Sequence, residues 1–304
     1  MPNVSDESGP GLWRMYYEPG HLASVGQVWI LESVRPGDFR AGERLTDDLA
    51  GILDGASARV PVEFRKLVSA LELMTALDDL AASVAATGLS PILDIECHGN
   101  QSGLQLTDGS FLRWDEIKPK LEAINLASRF NLILMLGCCN GAYFASTTRL
   151  AERSAFCAYV GPTNSVAAGT LYDGFLAFYR SLFTDRDLTL AVRNLRAAAG
   201  NLPSICATAM GFFRMSMAAY IRNWTTDQQL EARAQAIAAA GRSLLSVPEI
   251  AQRIRDHGPV AFETFRRTYF AIDLFEENDA RYPLTFEQVV LEAAGPDRGG
   301  PDAI

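Results

Sequence analysis

Two apolar runs of the sequence end in residues that can carry out covalent chemistry. The first run ends as Asp94-Ile95-Glu96-Cys97-His98-Gly99, and the second ends as Leu136-Gly137-Cys138-Cys139-Asn140-Gly141. If both runs form strands of one parallel sheet, their carboxyl ends meet at the edge where α/β proteins bind ligands. A thiol within hydrogen-bonding reach of an imidazole is the arrangement that nucleophilic acyl transfer requires.

Side-chain alternation limits which groups can work together at this edge. Adjacent strand residues face opposite ways, so only one of Cys138 and Cys139 can point at His98. The backbone N–H groups of Gly99 and Cys139 are candidates for an oxyanion hole, because glycine lets a substrate carbonyl come close to the chain. Glu96 has the same parity as His98, which makes it a candidate to orient the imidazole, to line a substrate pocket or to pair with an arginine.

The elements that must position these residues alternate between strand and helix patterns. We predict strands where β-branched and apolar runs are bounded by turn residues, and helices where apolar residues recur three or four positions apart. The expected strands are Gln27–Val34, Val60–Phe64, Ile92–Ile95, Leu132–Leu136 and Phe156–Val160, with a hairpin around Asp108-Gly109. The expected helices are Glu43–Leu53, Leu71–Val84, Ile117–Ile124 and Leu171–Phe183. This alternation predicts an α/β fold, a mostly parallel sheet with helices on both faces.

Strand patterns become rare after Gly200, and alanine-rich helical patterns follow. We therefore predict an N-terminal segment over 1–24, a sheet domain over 25–204, a helical extension over 205–288 and a disordered Gly/Pro/Asp tail over 289–304.

Composition narrows the possible functions. The 304 residues carry a net charge of −9, with 48% apolar and 21% charged residues, so nucleic acid is not an expected partner. The sequence has neither a signal peptide nor an apolar run long enough to span a membrane, and no membrane association is expected. Five cysteines without export signals indicate free thiols in a cytoplasmic protein. With three histidines and no CxxC spacing, no metal site or cofactor is expected.

The ordered set of motifs resembles the caspase-like cysteine peptidases, the clan of caspases, metacaspases and bacterial CHAT-domain proteins. It comprises His98-Gly99, the hairpin segment Gly103-Leu104 to Leu112, and Cys138-Cys139-Asn140-Gly141 after the next apolar strand. The resemblance covers roughly residues 25–200 and implies that His98 is the catalytic histidine and Cys139 the nucleophile, with Cys138 in a small-residue position. It implies a caspase-like fold and an endopeptidase that cleaves protein or peptide substrates.

This sequence departs from the family pattern around the substrate pocket. Gly137 stands where metacaspases and paracaspases carry an acidic residue and caspases carry glutamine. Val166-Ala167-Ala168 stands where many CHAT sequences carry an acidic pair. Arg40 precedes the first helix much as an arginine of the caspase acidic pocket does, which hints at an acidic P1 residue. Arg40, Glu96 and Gly137 are therefore the substrate-binding candidates.

Two other functions are compatible with the sequence. Gly137-Cys138-Cys139-Asn140-Gly141 fits a Gly-x-Cys-x-Gly nucleophile elbow of a hydrolase or amidotransferase, in which His257 would be the base. A caspase-like fold retained as an inactive scaffold or regulatory protein is the other. Resemblance to bacterial caspase-like proteins also implies a role in defence or regulated cell death, with a separate activating protein as partner.

Overall fold

The computed structural model describes residues 13–16, 22–56, 58–200 and 204–295. Most of the predicted N-terminal segment and the end of the predicted tail therefore lie outside the described residues. The chain divides into two compact units. The first consists of residues 1–148 and 154–208, and the second of residues 149–153 and 209–304.

The first unit is built on a mixed sheet. Its strands are β1 (Trp13–Tyr16), β2 (Leu22–Val25), β3 (Gln27–Ser33), β4 (Val62–Lys66), β5 (Pro91–Asn100), β6 (Gly103–Gln105), β7 (Phe111–Arg113), β8 (Ile133–Gly137), β9 (Ala158–Pro162) and β10 (Ser204–Thr208). The main strand order is β10-β9-β8-β5-β3-β4, while β1 and β2 form a separate antiparallel pair. Each neighbouring pair in the main order is parallel except β10 with β9.

Helices cover both faces of this sheet. They are α1 (Ala41–Gly55), α2 (Ala70–Thr87), α3 (Trp114–Ala127), α4 (Ala168–Asp185) and α5 (Leu188–Ala198). On one face α1 packs against α4, and on the other α2 packs against α3. All residues of β3 and β8 are buried, as expected for strands covered on both sides. The predicted α/β fold class is confirmed.

Parity assigns the strand residues to these faces. Tyr179 of α4 donates a hydrogen bond to Asp94 of β5, so even-numbered β5 residues face the α1/α4 layer. Ser83 of α2 bonds Gln27 of β3, which places odd-numbered β3 residues on the α2/α3 layer. His98 belongs with Asp94, and Cys97 lies on the opposite side.

Two strands differ from the sequence prediction. β5 does not stop before Cys97 but continues to Asn100, because residues 98–100 leave the main sheet and pair with β6. β10 lies where we predicted the start of the helical extension, and it adds an antiparallel edge to β9. The expected boundary at 204/205 cuts this strand, since its short apolar run leads directly into a helix.

The second unit is helical in its described part. Its helices are α6 (Ala209–Trp224), α7 (Asp227–Ala239), α8 (Val247–Asp256), α9 (Gly258–Tyr269), α10 (Glu277–Arg281) and α11 (Phe286–Ala294). The prediction of a tail from residue 289 is wrong for 289–294, where α11 continues after a capping box between Thr285 and Gln288. Buried Val289 anchors that helix.

An aromatic cluster forms the core of the second unit. Phe213, Tyr269, Phe270 and Tyr282 are all fully buried. The rings of Phe270 and Tyr282 stack with centroids 4.4 Å apart. None of the helices within the described ranges is long and apolar enough to cross a bilayer.

Candidate active site

The sheet brings His98 and Cys139 to the same edge. β5 and β8 are parallel neighbours, and their last registered pair is Glu96 with Gly137. His98 and Cys139 each follow two residues later, on the parity that faces the α1/α4 layer. Both are half-buried, as a site open to substrate requires. The topology therefore brings the two sequence motifs to one edge of the sheet, and a catalytic pairing of their side chains stays a prediction.

Gly99 brings the two backbones into close contact. A Cβ atom at this position would lie 2.7 Å from the carbonyl oxygen of Cys139 and 3.1 Å from the sulfur of Cys138. No side chain fits into that space without displacing backbone. The two segments that carry the candidate oxyanion-hole residues, Gly99 and Cys139, are thus in direct contact.

Asp38 holds the imidazole of His98, a role the sequence analysis did not assign. Asp38 lies in the loop between β3 and α1, and its Oδ2 is 2.9 Å from Nε2 of His98. The hydrogen bond from His98 lowers the pKa of Asp38, so the carboxylate is ionised and can only accept. Nε2 consequently carries the hydrogen, and in the neutral ring Nδ1 is left to accept a proton.

Cys139 is held on its other side by the loop that follows β9. Its Sγ donates to the carbonyl oxygen of Val166 at 3.7 Å and accepts from the N–H of Val166 at 3.4 Å. The neighbouring Asn140 also donates its N–H to the carbonyl of Asn164, at 3.1 Å. Val166 was noted in the sequence only for the carboxylate it lacks, whereas here its backbone fixes the thiol.

The thiol and the imidazole have separate partners in this structure. The His98 ring is hydrogen-bonded to Asp38, and the Cys139 sulfur is hydrogen-bonded to the backbone of Val166. Among the described residues, no hydrogen bond joins the ring to the sulfur. Both partners lie in loops, while the strands beneath them are fully buried. A side-chain or loop adjustment at the edge, with the sheet unchanged, is therefore what a bonded pair would require.

A second thiol pair lies on the opposite face. Cys97 and Cys138 are 7% and 1% exposed, and they share a hydrogen bond. That bond, together with burial, raises the pKa of Cys138 well above its usual value. All five cysteines are free thiols. Cys138 is thus a buried thiol of the core, as its small-residue position in the family pattern implies.

Glu96 occupies the space beside Gly137. A Cβ atom at Gly137 would lie 2.2–2.3 Å from the carboxyl group of Glu96. Gly137 therefore has no room for an acidic side chain or a glutamine, because Glu96 of the neighbouring strand already fills that volume. Glu96 is 2% exposed, which puts it below the open edge. Its carboxyl makes no hydrogen bond to His98 among the described residues, so orienting the ring belongs to Asp38.

Buried carboxyl groups lie under the site on the α1/α4 face. Burial raises the pKa of Asp94 to about 8, against a smaller opposing effect of the hydrogen bond from Tyr179. Burial, and next the nearby Asp94, raise the pKa of Glu96 well above its usual value. Asp94 Oδ1 and Glu96 Oε1 have no hydrogen-bond partner among the described residues. Protonation of these groups avoids the cost of unpaired buried charge.

Burial also raises the pKa of Glu32, on the neighbouring strand β3. Its carboxyl differs from the other two because it is well bonded. It accepts from the backbone N–H of Gly42 at 2.8 Å and of Glu43 at 3.3 Å. These bonds fix the first turn of α1 against the strand that leads to the Asp38 loop.

Arg40 lies at the start of α1 and is engaged locally. Its guanidinium forms an ion pair with Glu43 at 3.2 Å, and its side chain is 54% exposed. Its place in the loop between β3 and α1 agrees with the sequence expectation. Its role in selecting an acidic P1 residue stays a prediction.

The local backbone argues against the nucleophile-elbow alternative. In such an elbow the nucleophile itself occupies the strained turn. Here the left-handed conformation belongs to Asn140, with φ of 59°, one residue after Cys139. A short 3-10 helix over Gly141–Thr147 follows rather than an α-helix. His257, the base in that alternative, is an exposed residue between α8 and α9 of the second unit.

The chemistry available at this edge is that of a nucleophile, a base and a residue that orients the base. Within the described ranges, no group of three or more His, Cys, Asp or Glu residues could hold a metal ion. Asp38 could have been found from the sequence by one rule: it follows the first parallel strand, and the loops after such strands converge on the ligand site.

Comparisons with known proteins add a likeness of fold. No protein-family model matches the chain, and no curated protein matches it. Among solved structures, the Drosophila initiator caspase Dronc is similar, with a TM-score of 0.41 and 14% sequence identity. The match covers 66% of this chain and 87% of that chain. A likeness of this size assigns no family and carries no argument about activity.

Proposed function

We propose that this chain is a cysteine endopeptidase with Cys139 as nucleophile and His98 as general base. The observation that supports the proposal is the register of β5 and β8, whose last pair, Glu96 with Gly137, comes two residues before His98 and Cys139. Asp38, bonded to Nε2 of His98, supplies the third group that orients a catalytic base.

The proposed reaction is acyl transfer through a thioester. Nδ1 of His98 takes the proton of the Cys139 thiol as the sulfur attacks the peptide carbonyl carbon. The N–H groups of Gly99 and Cys139 stabilise the oxyanion, and His98 returns the proton to the leaving amine as the C–N bond breaks. Water activated by the same imidazole then hydrolyses the thioester and releases the second product and the free thiol.

Asp38 acts in this scheme as a positioning residue. Its carboxylate accepts the Nε2 hydrogen and so keeps Nδ1 available for the thiol proton. The bond between Cys139 and the Val166 backbone holds the sulfur in a resting position. An activating event at this loop is therefore part of the proposal, and a separate regulatory protein is the expected partner. Cytoplasmic location and a role in bacterial defence or regulated cell death are proposed from the sequence resemblance alone.

The decisive experiment combines peptide-library cleavage with labelling by an electrophilic peptide probe. Cys139→Ala and His98→Ala should each lower the cleavage rate by about 10³-fold or more. Cys138→Ala and His257→Ala are the matched controls and should retain activity. Asp38→Asn should lower kcat by about tenfold with KM unchanged, because it alters the orientation of the base rather than substrate binding.

Each alternative predicts a different result. Loss of activity in His257→Ala with His98→Ala active would support the nucleophile elbow. The scaffold function would be supported if the wild-type chain and every variant neither cleave the substrates nor react with the probe, even in lysates that contain candidate activators. The missing bond between imidazole and sulfur is the observation that favours testing the scaffold function in parallel.

A further inference from the structure

A cavity of about 660 Å³ lies within the second unit. It is bounded by α6, α7, α8, α9 and α11, so it belongs to the helical unit alone. Its volume falls within the range of about 300–1,000 Å³ that is typical of small-molecule sites. Nothing in the proposed peptidase chemistry uses it.

The walls of the cavity are predominantly apolar. Large side chains from each of the five helices face it and stay only half-buried, among them Tyr220, Ile221, Ile237, Ile254, Phe265 and Phe286. Well-packed cores leave few voids larger than a water molecule. Apolar surface that remains wet inside a helical unit favours a ligand whose hydrocarbon part replaces that water.

The charged residues that line the cavity all have the same sign. They are Arg233, Arg253 and Arg255, with His257 beside them, and no aspartate or glutamate is among the lining residues. Arg255 is paired with Asp227 at 2.8 Å. Arg233 is half-buried, and within the described part of the chain its guanidinium has no hydrogen-bond or ion-pair partner. A guanidinium in this position can bind a carboxylate through two parallel hydrogen bonds.

We call the exposed, basic part of the lining the basic end of the cavity. Arg253, Arg255, His257 and Val290 are the exposed members of the lining, whereas Leu230, Ile250 and Phe262 are buried. A ligand that enters tail first would place its apolar part among the buried side chains and its charged group near Arg233. The arrangement fits an amphiphile with one apolar chain and one anionic head group.

We propose that the helical unit binds a single-chain anionic amphiphile, a fatty-acid-like carboxylate, with Arg233 as the residue that recognises the head group. Binding needs neither Cys139 nor His98, so this inference is independent of the proposed peptidase activity.

Calorimetric titration of the full chain with dodecanoate, below the concentration at which it forms micelles, tests the proposal. We expect saturable binding at one ligand per chain. Dodecanol, which has the same chain without the charge, should bind about tenfold more weakly, and acetate should not bind measurably. A negative heat-capacity change should accompany dodecanoate binding because apolar surface is buried.

Two variants separate the head-group contact from the cavity. Arg233→Gln should weaken dodecanoate binding by about tenfold and leave dodecanol unchanged. Arg242→Gln, which removes the same charge from an exposed position outside the lining, should have no effect. Ala261→Trp fills the cavity and should abolish binding of both ligands, with an unchanged circular dichroism spectrum as the folding control.

Several outcomes would overturn the proposal. They are the absence of saturable dodecanoate binding, equal affinities for dodecanoate and dodecanol, and an unaffected Arg233→Gln variant. Binding to vesicles of phosphatidylglycerol without binding of monomeric dodecanoate would assign the basic end to a lipid surface instead. Binding of an acidic amphipathic peptide in place of dodecanoate would assign the cavity to a protein partner.

Discussion

Cys138 and Cys139 are neighbours in the chain and lie in opposite environments. Cys138 is 1% exposed and hydrogen-bonded to Cys97 on the α2/α3 face. Cys139 is half-buried on the α1/α4 side. Among the described residues, its sulfur forms hydrogen bonds with the backbone of Val166. The same alternation separates Cys97 from His98 on β5.

One step along a strand is enough to separate a thiol of the core from a thiol of the candidate site. Strand alternation supplies the separation without any additional element. Just beyond the last registered pair of β5 and β8, Cys97 and Cys138 belong to one face, and His98 and Cys139 to the other. The proposed site therefore predicts that the two thiols differ in reactivity, which can be tested directly.

Alkylation of the native protein offers the largest contrast between the two cysteines. Iodoacetamide at neutral pH should modify Cys139 roughly 10³-fold faster than Cys138, since a buried thiol reacts only after local opening. Peptide mass spectrometry over a time course measures both rates in one sample. In urea-unfolded protein the two rates should be similar. Comparable rates in the native protein would show that the two thiols do not differ in accessibility.

The two faces of the sheet also differ in their buried groups, because the face of His98 carries the buried carboxyl groups of Asp94 and Glu96. Their pKa values are raised by folding, so above about pH 4 the unfolded chain ionises them while the folded chain keeps them protonated. Each such group therefore lowers the stability as the pH rises, by at most about 1.4 kcal/mol per pH unit. For Asp94 this loss continues until the pH reaches about 8.

Asp94→Asn isolates this effect because the amide resembles the protonated acid. We expect the advantage of the variant over the wild type to be about 1–3 kcal/mol larger at pH 7 than at pH 5. Urea denaturation at both pH values gives the two differences. A variant whose advantage is the same at pH 5 and pH 7 would show that Asp94 is ionised in the folded state.

The third prediction concerns the contact between Glu96 and Gly137. Gly137→Ala should lower the free energy of unfolding by about 1–3 kcal/mol, because the new methyl group meets the Glu96 carboxyl. Glu96→Ala in the same chain should recover part of that loss. Gly51→Ala is the matched control: a Cβ there meets nothing within 4 Å, and the change should be neutral or stabilising.

Much of the fold follows from local patterns in the sequence. Continuous apolar runs predict β3 and β8, and Gly88, with φ of 70°, ends α2 where the pattern ends. β10 is not predicted from the sequence, because its five residues pass into α6 without a turn signal. Periodicity alone cannot divide this apolar run into a strand and a helix.

The site is predicted only in part, for a reason of distance along the chain. His98 and Cys139 follow strands whose pairing the alternation of elements implies. Asp38 is 60 residues from His98, so no spacing in the sequence connects the two, and only the convergence of loops at one edge of the sheet could indicate that they meet. Glu96 and Gly137 illustrate the same limit: the glycine is a departure in the sequence and a volume exchange in three dimensions.

The last three residues of β5 are held differently from the rest of the strand. His98 is paired with Gln105 of β6, outside the main sheet, whereas Cys139 follows directly from β8 within it. The β6–β7 hairpin thus holds the backbone of His98, whereas the main sheet holds the strand that leads to Cys139. We expect that a change in this hairpin would shift His98 relative to Cys139, because only His98 is paired with it.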